Sequence, residues 1–195
     1  MQFNRKIVVA IFTLLFLAAC SSGGGNSITG REVPESPIVV VKIDDTNEAH
    51  PQVGIDKADL IYIEQVEGGL VRLAALFSSK LPDYIGPVRS ARISDIDLLA
   101  QFGKVAFFYS GAQSKLYPVI KEANLFDIGA MHESPKIYTR DPDRIAPYDM
   151  VLYGPEVKKR IADLDVATTK DFGFTFGDLV KKGRKISSVK VNWPA

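Results

Sequence analysis

The single cysteine of the chain constrains its fold more than any other residue. Cys20 directly follows residues 7–19, an apolar run that ends in Leu-Ala-Ala, and Arg5 and Lys6 precede this run. As a helix the run would rise about 20 Å, whereas a bilayer core needs about 30 Å. The pattern therefore predicts a signal peptide over residues 1–19 that ends in a lipobox. Without a second cysteine, the exported domain has to rely on a hydrophobic core rather than on disulfides.

The lipobox predicts how and where the mature protein is held. Cys20 is the predicted lipidation site, and two or more acyl chains on it would give a stable membrane anchor. We therefore expect an extracytoplasmic protein that is anchored to the cell membrane by lipid. Residues 20–36 are rich in Gly and Ser and predict a flexible linker. Residues 37–180 are the predicted globular domain.

Charge and histidine content exclude several classes of ligand. Removal of residues 1–19, which contain two basic residues and no acid, changes the net charge from +1 to −1. This balance gives no indication of nucleic-acid binding. His50 and His132 have no cysteine or histidine at metal-ligand spacing, so both are predicted as surface residues. We expect no metal site and no cofactor.

Short runs of strand-forming residues alternate with helical patterns along the globular part. Strands are predicted over residues 38–43, 60–66, 70–77, 105–109 and 150–153, and helices over residues 93–102, 113–123 and from Pro155 onward. Gly68-Gly69 between two strand-forming runs predicts a hairpin, although residues 70–77 could also be helical. The pattern predicts an α/β fold: a mixed β-sheet with an N-terminal hairpin and flanking helices, in two or three layers.

The last residues also carry a strand pattern. Residues 187–193 alternate Val189 and Val191 with polar neighbours, yet no obvious partner strand follows. We interpret residues 181–195 as the start of a truncated C-terminal region.

The best candidate ligand site is the segment Gly-Pro-Val-Arg-Ser-Ala-Arg at residues 86–92, at the entry of the first predicted helix. Arg89 and Arg92 supply planar guanidinium groups that bind phosphate or carboxylate in a bidentate manner. Ser90 could add a hydroxyl to this anion site, and either Ser90 or Ser94 could cap the helix. The alternative is structural: Arg92 pairs with Asp95 three residues on, and Arg89 pairs with a distant acid.

A second candidate lies where a predicted strand ends. Tyr109-Ser110-Gly111 follows the run at 105–109, and ligands often bind at the carboxyl ends of strands in α/β sheets. Gly111 permits close approach of the backbone, and Ser110 could donate a hydrogen bond. The alternative is an ordinary turn, since the Gly-x-Ser-x-Gly pattern of a nucleophile elbow is absent.

Several motifs between residues 39 and 164 resemble those of a known family. They are Pro51-Gln52-x-Gly54 with Ala58-Asp59, the Glu-Gly-Gly turn at 67–69 followed by Arg72, and the segment at 85–92. The chain is similar in these residues to the YerB-like lipoproteins, whose shared N-terminal domain is a domain of unknown function (DUF3048). The resemblance implies a lipoprotein with a second, C-terminal domain, and Arg72 joins the candidate ligand-binding residues. Where the family often has Ala-Pro-His-Asn, this chain has Tyr148 and Asp149, which leaves any role of that histidine in doubt.

Two classes of function remain open at this level. One is a non-catalytic envelope module that binds an anionic or carbohydrate ligand or a partner protein. The other is an envelope hydrolase that acts on cell-wall or glycan material through two convergent carboxylates. Because no nucleophile–base pattern is visible, we favour the binding module and assign no catalytic residue.

Overall fold

The computed structural model describes residues 25–168, 172–177 and 183–190; the predicted signal peptide and Cys20 lie outside this part of the chain. Strands and helices alternate along the described residues. The strands are β1 (Val39–Asp44), β2 (Leu60–Gln65), β3 (Val71–Phe77), β4 (Tyr84–Ile85), β5 (Val105–Tyr109), β6 (Leu125–Gly129), β7 (Tyr138–Arg140) and β8 (Met150–Tyr153). The α-helices are α1 (Ser94–Ala100), α2 (Tyr117–Glu122) and α3 (Gly154–Ile161). None of the helices in these ranges is long and apolar enough to cross a bilayer.

A mixed sheet of five strands organises the domain. Its order is β2-β3-β1-β5-β6, with β3 antiparallel to β2 and β1, and with β1, β5 and β6 parallel. A smaller antiparallel sheet has the order β4-β8-β7. The predicted α/β fold with a mixed sheet, an N-terminal hairpin and helices is confirmed.

The hairpin forms where its turn residues predicted it. Residue Glu64 of β2 lies opposite Arg72 of β3, and the turn between the strands includes Gly68 and Gly69, whose φ angles are 71° and 73°. Only glycine adopts positive φ without strain, so Gly-Gly fixes this turn. Residues 71–77 form a strand rather than a helix because neighbours on both sides bury them.

Strand β1 is buried along its whole length and separates two apolar clusters. On one face, Val39, Val41 and Ile43 pack against the small sheet and α3. On the other face, Ile38 and Val40 pack against α1 and α2. This second face stops being apolar at Lys42, which is where the candidate site begins.

The segment at residues 86–92 passes between the ends of β1 and β5. The two strands pair directly at Val39–Val41 only. Beyond that point the Arg89 amide donates to the carbonyl of Lys42 at 2.8 Å, while the Ser110 amide donates to the carbonyl of Arg89 at 3.0 Å. The two parallel strands are thus held apart at their carboxyl ends, and the predicted candidate segment fills the gap.

The N-terminal residues pack more closely than a flexible linker would. Asn26 is fully buried, and its amide group donates to the Ser78 hydroxyl oxygen at 3.3 Å. Ile28 is also buried, and the Ser36 amide donates to the carbonyl of Ser78 at 3.0 Å. In the described part of the predicted linker, residues 26–28 and Ser36 therefore lie against the domain, whereas residues 30–32, 34 and 35 are exposed.

Other elements differ from prediction at their ends. Helix α1 has no serine cap; instead the Asp95 carboxylate accepts the Arg92 amide at 2.6 Å. The helix predicted at 113–123 forms only as a short 3-10 turn followed by α2. Strands β4, β6 and β7 were not predicted. Residues 187–190 of the predicted terminal strand are not in a strand, and 191–193 lie outside the described residues.

Candidate functional site

Charged side chains replace apolar ones toward the carboxyl end of β1. Because side chains alternate between faces, Lys42 and Asp44 share the face of Ile38 and Val40. The strand register places Arg72 beside Asp44, and Glu64 beside Arg72, in one row across three strands. Two further charged residues contact this row: Asp95 of α1 pairs with Lys42, and Arg89 of the 86–92 segment pairs with Asp44. We call Lys42, Asp44, Glu64, Arg72, Arg89 and Asp95 the charged layer.

The inner half of the charged layer is a lysine held by two carboxylates. The Lys42 ammonium donates to Asp95 Oδ1 at 2.7 Å and also binds Glu64 Oε1. The Ser94 hydroxyl donates to Glu64 Oε2 at 2.6 Å. The Lys42 and Asp95 side chains are fully buried, and that of Glu64 is 9% exposed. An ammonium group removed this completely from water requires such pairing.

Burial and the neighbouring charges shift the pKa values of the Asp95 and Glu64 carboxyl groups in opposite directions. Burial, together with the charge of Glu64 and against the attraction of Lys42, raises the pKa of Asp95 to about 6. Burial also acts on Glu64, but Lys42 and the Ser94 hydroxyl outweigh it and lower the pKa of that carboxyl. One ammonium group therefore serves two acids, and Asp95 is the one that more readily takes up a proton.

The outer half has the opposite composition, because two guanidinium groups converge on one carboxylate. Arg72 Nη1 donates to Asp44 Oδ1 at 3.0 Å. Arg89 Nε lies 2.6 Å from Asp44 Oδ2, as an ion pair without hydrogen-bond alignment. The Arg72 Nε atom is buried and has no hydrogen-bond partner among the described residues. Burial lowers the pKa of Arg72, and the nearby charges of Arg89 and Arg92 lower it further, against the attraction of Asp44.

Arg89 and Arg92 are the arginines of this region whose side chains are partly exposed at the surface. The Arg89 side chain is 23% exposed, and its guanidinium carbon lies 5.7 Å from the centre of the Tyr148 ring. Arg92 Nε donates to Glu67 Oε2 at 2.7 Å, but Glu67 is 62% exposed, so this pair is strongly screened by water. Arg92 and Lys115 also line a cleft of about 410 Å³ whose other walls include Ile93 and Val119.

The structure brings together some of the predicted site residues and separates others. Arg72, Arg89 and Arg92 lie close enough to influence one another electrostatically. Arg89 pairs with Asp44, a distant acid of the kind that the structural alternative requires. The predicted side-chain pair of Arg92 with Asp95 is wrong, because the Arg92 side chain turns to Glu67 and only its backbone amide contacts Asp95.

The second predicted motif contributes mainly backbone. The Ser110 amide and the Gly111 carbonyl hold the 86–92 segment in place, through bonds of 3.0 Å to Arg89 and 2.9 Å from Ala91. The Ser90 carbonyl accepts from Arg92 Nη1 at 3.3 Å. Tyr109 points elsewhere: its hydroxyl donates to Asp127 Oδ1 at 2.6 Å, and burial keeps its pKa far above the ordinary value.

The histidines lie apart from one another. His50 Nε2 is 3.3 Å from Asp45 Oδ1, and its side chain is half exposed. His132 is exposed and packs edge-to-face on Tyr117, with 6.4 Å between the ring centres. In the part of the chain that the structure describes, no group of three or more His, Cys, Asp or Glu side chains could hold a metal ion.

Fold and site together define the class of protein. It is a mixed α/β domain with a charged layer at the carboxyl end of its central strand. The family model described as "Protein of unknown function (DUF3048) N-terminal domain" matches residues 24–167, and the chain belongs to this family. The family that the sequence motifs indicated is thereby confirmed.

Similarity to individual proteins points the same way. The chain is 41% identical over 64 residues to "Putative lipoprotein YerB" of Bacillus subtilis (strain 168), a match that covers 33% of this chain and 19% of that protein. The crystal structure of YerB protein from Bacillus subtilis superposes with a TM-score of 0.63 at 25% identity. That match covers 70% of this chain and 48% of the YerB chain, so the chain spans about half of the solved structure.

Four members of the charged layer were not predicted as site residues, although two left a signal in the sequence. Lys42 interrupts a β-branched run and lies two residues before Asp44, which places both on one strand face. Glu64 becomes visible once the hairpin register pairs it with Arg72. Asp95 is 53 residues from Lys42 along the chain, and no local pattern joins them.

Proposed function

We propose that this protein is an envelope lipoprotein, held at the outer side of the cytoplasmic membrane through Cys20, whose domain binds an anionic ligand at Arg89 and Arg92. The observation that carries the proposal is the pairing of two guanidinium groups, Arg72 and Arg89, with the single carboxylate of Asp44. Taken by itself this trio carries a net charge of +1, and the excess carboxylate of the layer is bound to Lys42 in its buried inner half. Arg89 is the partly exposed member of the trio, so an anion would bind at its exposed edge.

The chemistry of the exposed groups supports this assignment. Arg89 uses only Nε toward Asp44, and its two terminal amino groups have no hydrogen-bond partner among the described residues. These two amino groups form the edge that binds phosphate or carboxylate oxygens in a bidentate manner. Arg72, buried beneath, adds charge and fixes Asp44, so that Arg89 is held in place before a ligand arrives.

The hydrolase alternative receives less support from the geometry. Glu64 and Asp95 are carboxylates that do converge, as a pair of catalytic acids must. However, both are already bound to Lys42, and the side chain of Asp95, in the first turn of α1, is fully buried. A polymeric substrate could not reach this carboxylate while α1 is packed on the sheet.

Anion titration of the purified protein tests the binding proposal. Sulfate and phosphate are titrated by calorimetry, and Arg89→Ala is expected to weaken binding about ten-fold or more, because a charge-assisted hydrogen bond contributes about 1.5–3 kcal/mol. Asp44 keeps Arg72 as a partner in this variant, so folding should persist. Arg140→Ala is the matched control, since the Arg140 side chain is 58% exposed and pairs with Asp149 rather than with a member of the charged layer. Unchanged affinity in Arg89→Ala, or no binding by the unmodified protein, would refute the site.

Lipid attachment is tested separately. Cells that express the protein or its Cys20→Ser variant are grown with a clickable fatty-acid analogue. We expect label on the protein and none on the variant, and equal labelling of both would rule out Cys20 as the anchor.

A further inference from the structure

A second cleft lies at the opposite end of β1 from the charged layer. It has a volume of about 420 Å³, and its apolar floor is formed by Val39, Phe77 and Ile161. Lys80 and Lys158 stand at its rim. Neither ammonium group has an ion-pair or hydrogen-bond partner among the described residues. An apolar floor with a few polar groups, in this range of volume, is typical of sites for small molecules.

One acid that contacts two residues of this cleft is already satisfied. Asp59 accepts hydrogen bonds from the backbone amides of Ser78 and Ser79 at 2.6 Å and 2.8 Å, and from both serine hydroxyl groups. Its charge is therefore held by four donors. Neither ammonium group is paired with Asp59, although the charge of Lys80 also acts on Asp56, which forms an ion pair with Lys57.

The N-terminal segment enters the domain at this cleft. Ser36, Pro37 and Ser78 line it, and the buried Asn26 side chain is hydrogen-bonded to Ser78. Cys20 precedes Asn26 by six residues. Six residues span at most about 20 Å even when fully extended. A lipid anchor on Cys20 would therefore hold this end of the domain next to the bilayer.

We propose that the Lys80–Lys158 cleft is a membrane-facing site for an anionic phospholipid. The phosphate of the lipid lies between the two ammonium groups, and the first part of an acyl chain covers Val39, Phe77 and Ile161. The orientation toward the bilayer rests on the Cys20 anchor proposed above, whereas the charge and shape of the cleft do not. Phospholipid fits better than free phosphate because the floor between the lysines is apolar.

Lipid binding to the full-length protein tests the cleft directly. The protein is released from a neutral detergent and examined by native mass spectrometry with added phosphatidylglycerol or phosphatidylcholine. We expect adducts with phosphatidylglycerol to dominate. Lys80→Ala and Lys158→Ala should each weaken phosphatidylglycerol binding about five-fold, and the double variant about thirty-fold. Both lysines are exposed, so neither substitution should affect folding.

Controls separate this proposal from the anion site. Lys121→Ala removes an exposed lysine on α2 and should bind phosphatidylglycerol as the unmodified protein does. The double lysine variant should bind sulfate as the unmodified protein does, since Arg89 is intact in it. Equal binding of both lipids, or unchanged phosphatidylglycerol binding by the double lysine variant, would overturn the cleft proposal. So would inorganic phosphate that binds at the two lysines as tightly as the lipid. If Cys20 is not labelled but phosphatidylglycerol binding still depends on the two lysines, the proposed anchor is refuted and the proposed cleft site stands.

Discussion

Replacement of Lys42 by methionine is the sharpest test of the charged layer. The substitution keeps an unbranched apolar stem but leaves Glu64 and Asp95 facing each other without the ammonium group that both contact. Removal of one partner from a buried ion pair costs about 3–5 kcal/mol, because the remaining charge is buried without compensation. We expect the free energy of unfolding to fall by that amount at pH 7.5. Urea denaturation followed by circular dichroism measures it.

The pH dependence of this loss identifies its cause. The pKa of Asp95 is already raised from 3.8 to about 6, and loss of Lys42, which lowers it, would raise it further. For an acid whose pKa is higher in the folded state, folding gains stability as the pH falls through that pKa and loses it as the pH rises. One pKa unit corresponds to about 1.4 kcal/mol, so the deficit of Lys42→Met should shrink by at least about 1 kcal/mol at pH 5.0.

Two further variants make the test specific. Lys57→Met removes an exposed pair with Asp56, whose side chain is 68% exposed, and should change stability by less than about 1 kcal/mol. Asp95→Asn in the Lys42→Met background removes one uncompensated charge and should restore part of the loss at pH 7.5. A deficit below about 1 kcal/mol, or one that is the same at both pH values, would refute the assignment of Lys42 as the essential counter-ion.

Two predictions concern the sheet that supports the site. Tyr138→Phe removes a buried hydroxyl that accepts the Tyr109 amide at 3.1 Å and binds the Ile128 carbonyl, and should cost about 1–3 kcal/mol in thermal or urea unfolding. Tyr84→Phe, at an exposed tyrosine, is the control, and equal effects would contradict the role of the hydroxyl. Gly129→Ala would place a methyl carbon 2.6 Å from the buried Tyr109 ring and should cost about 1–3 kcal/mol. Gly177→Ala, which meets nothing within 4 Å, should not, and a neutral Gly129→Ala would show that the ring can move.

Local patterns were sufficient for those parts of the fold that local chemistry determines. Gly68-Gly69 fixed the hairpin, and the β-branched residues of β1 and the run at 105–109 identified two central strands. Strand β6 was missed because Asp127 interrupts its short apolar run, and only the parallel pairing with β5 makes it a strand. Strand β4 has two residues, too few for any periodicity.

The site itself depended on contacts between distant residues. Arg89 and Arg92 were identified from the chemistry of guanidinium groups, but their partners could not be derived. Asp44 lies on β1, far from Arg89 along the chain. Only tertiary packing places residues 86–92 between β1 and β5. Asn26 is likewise 52 residues from Ser78 along the chain. Without knowledge of that contact, the Gly/Ser-rich composition of the segment indicated only a flexible linker.

The two proposed sites follow from the direction of one strand. Strand β1 has six residues, and at about 3.3 Å per residue its first and last residues are separated by about 17 Å. Val39 at its amino end forms part of the lysine cleft, and Asp44 at its carboxyl end holds Arg89. One small ligand cannot occupy both places. If the short segment between Cys20 and Asn26 keeps the cleft at the bilayer, then the same strand directs Arg89 away from it, toward anions of the cell envelope rather than toward the membrane lipids.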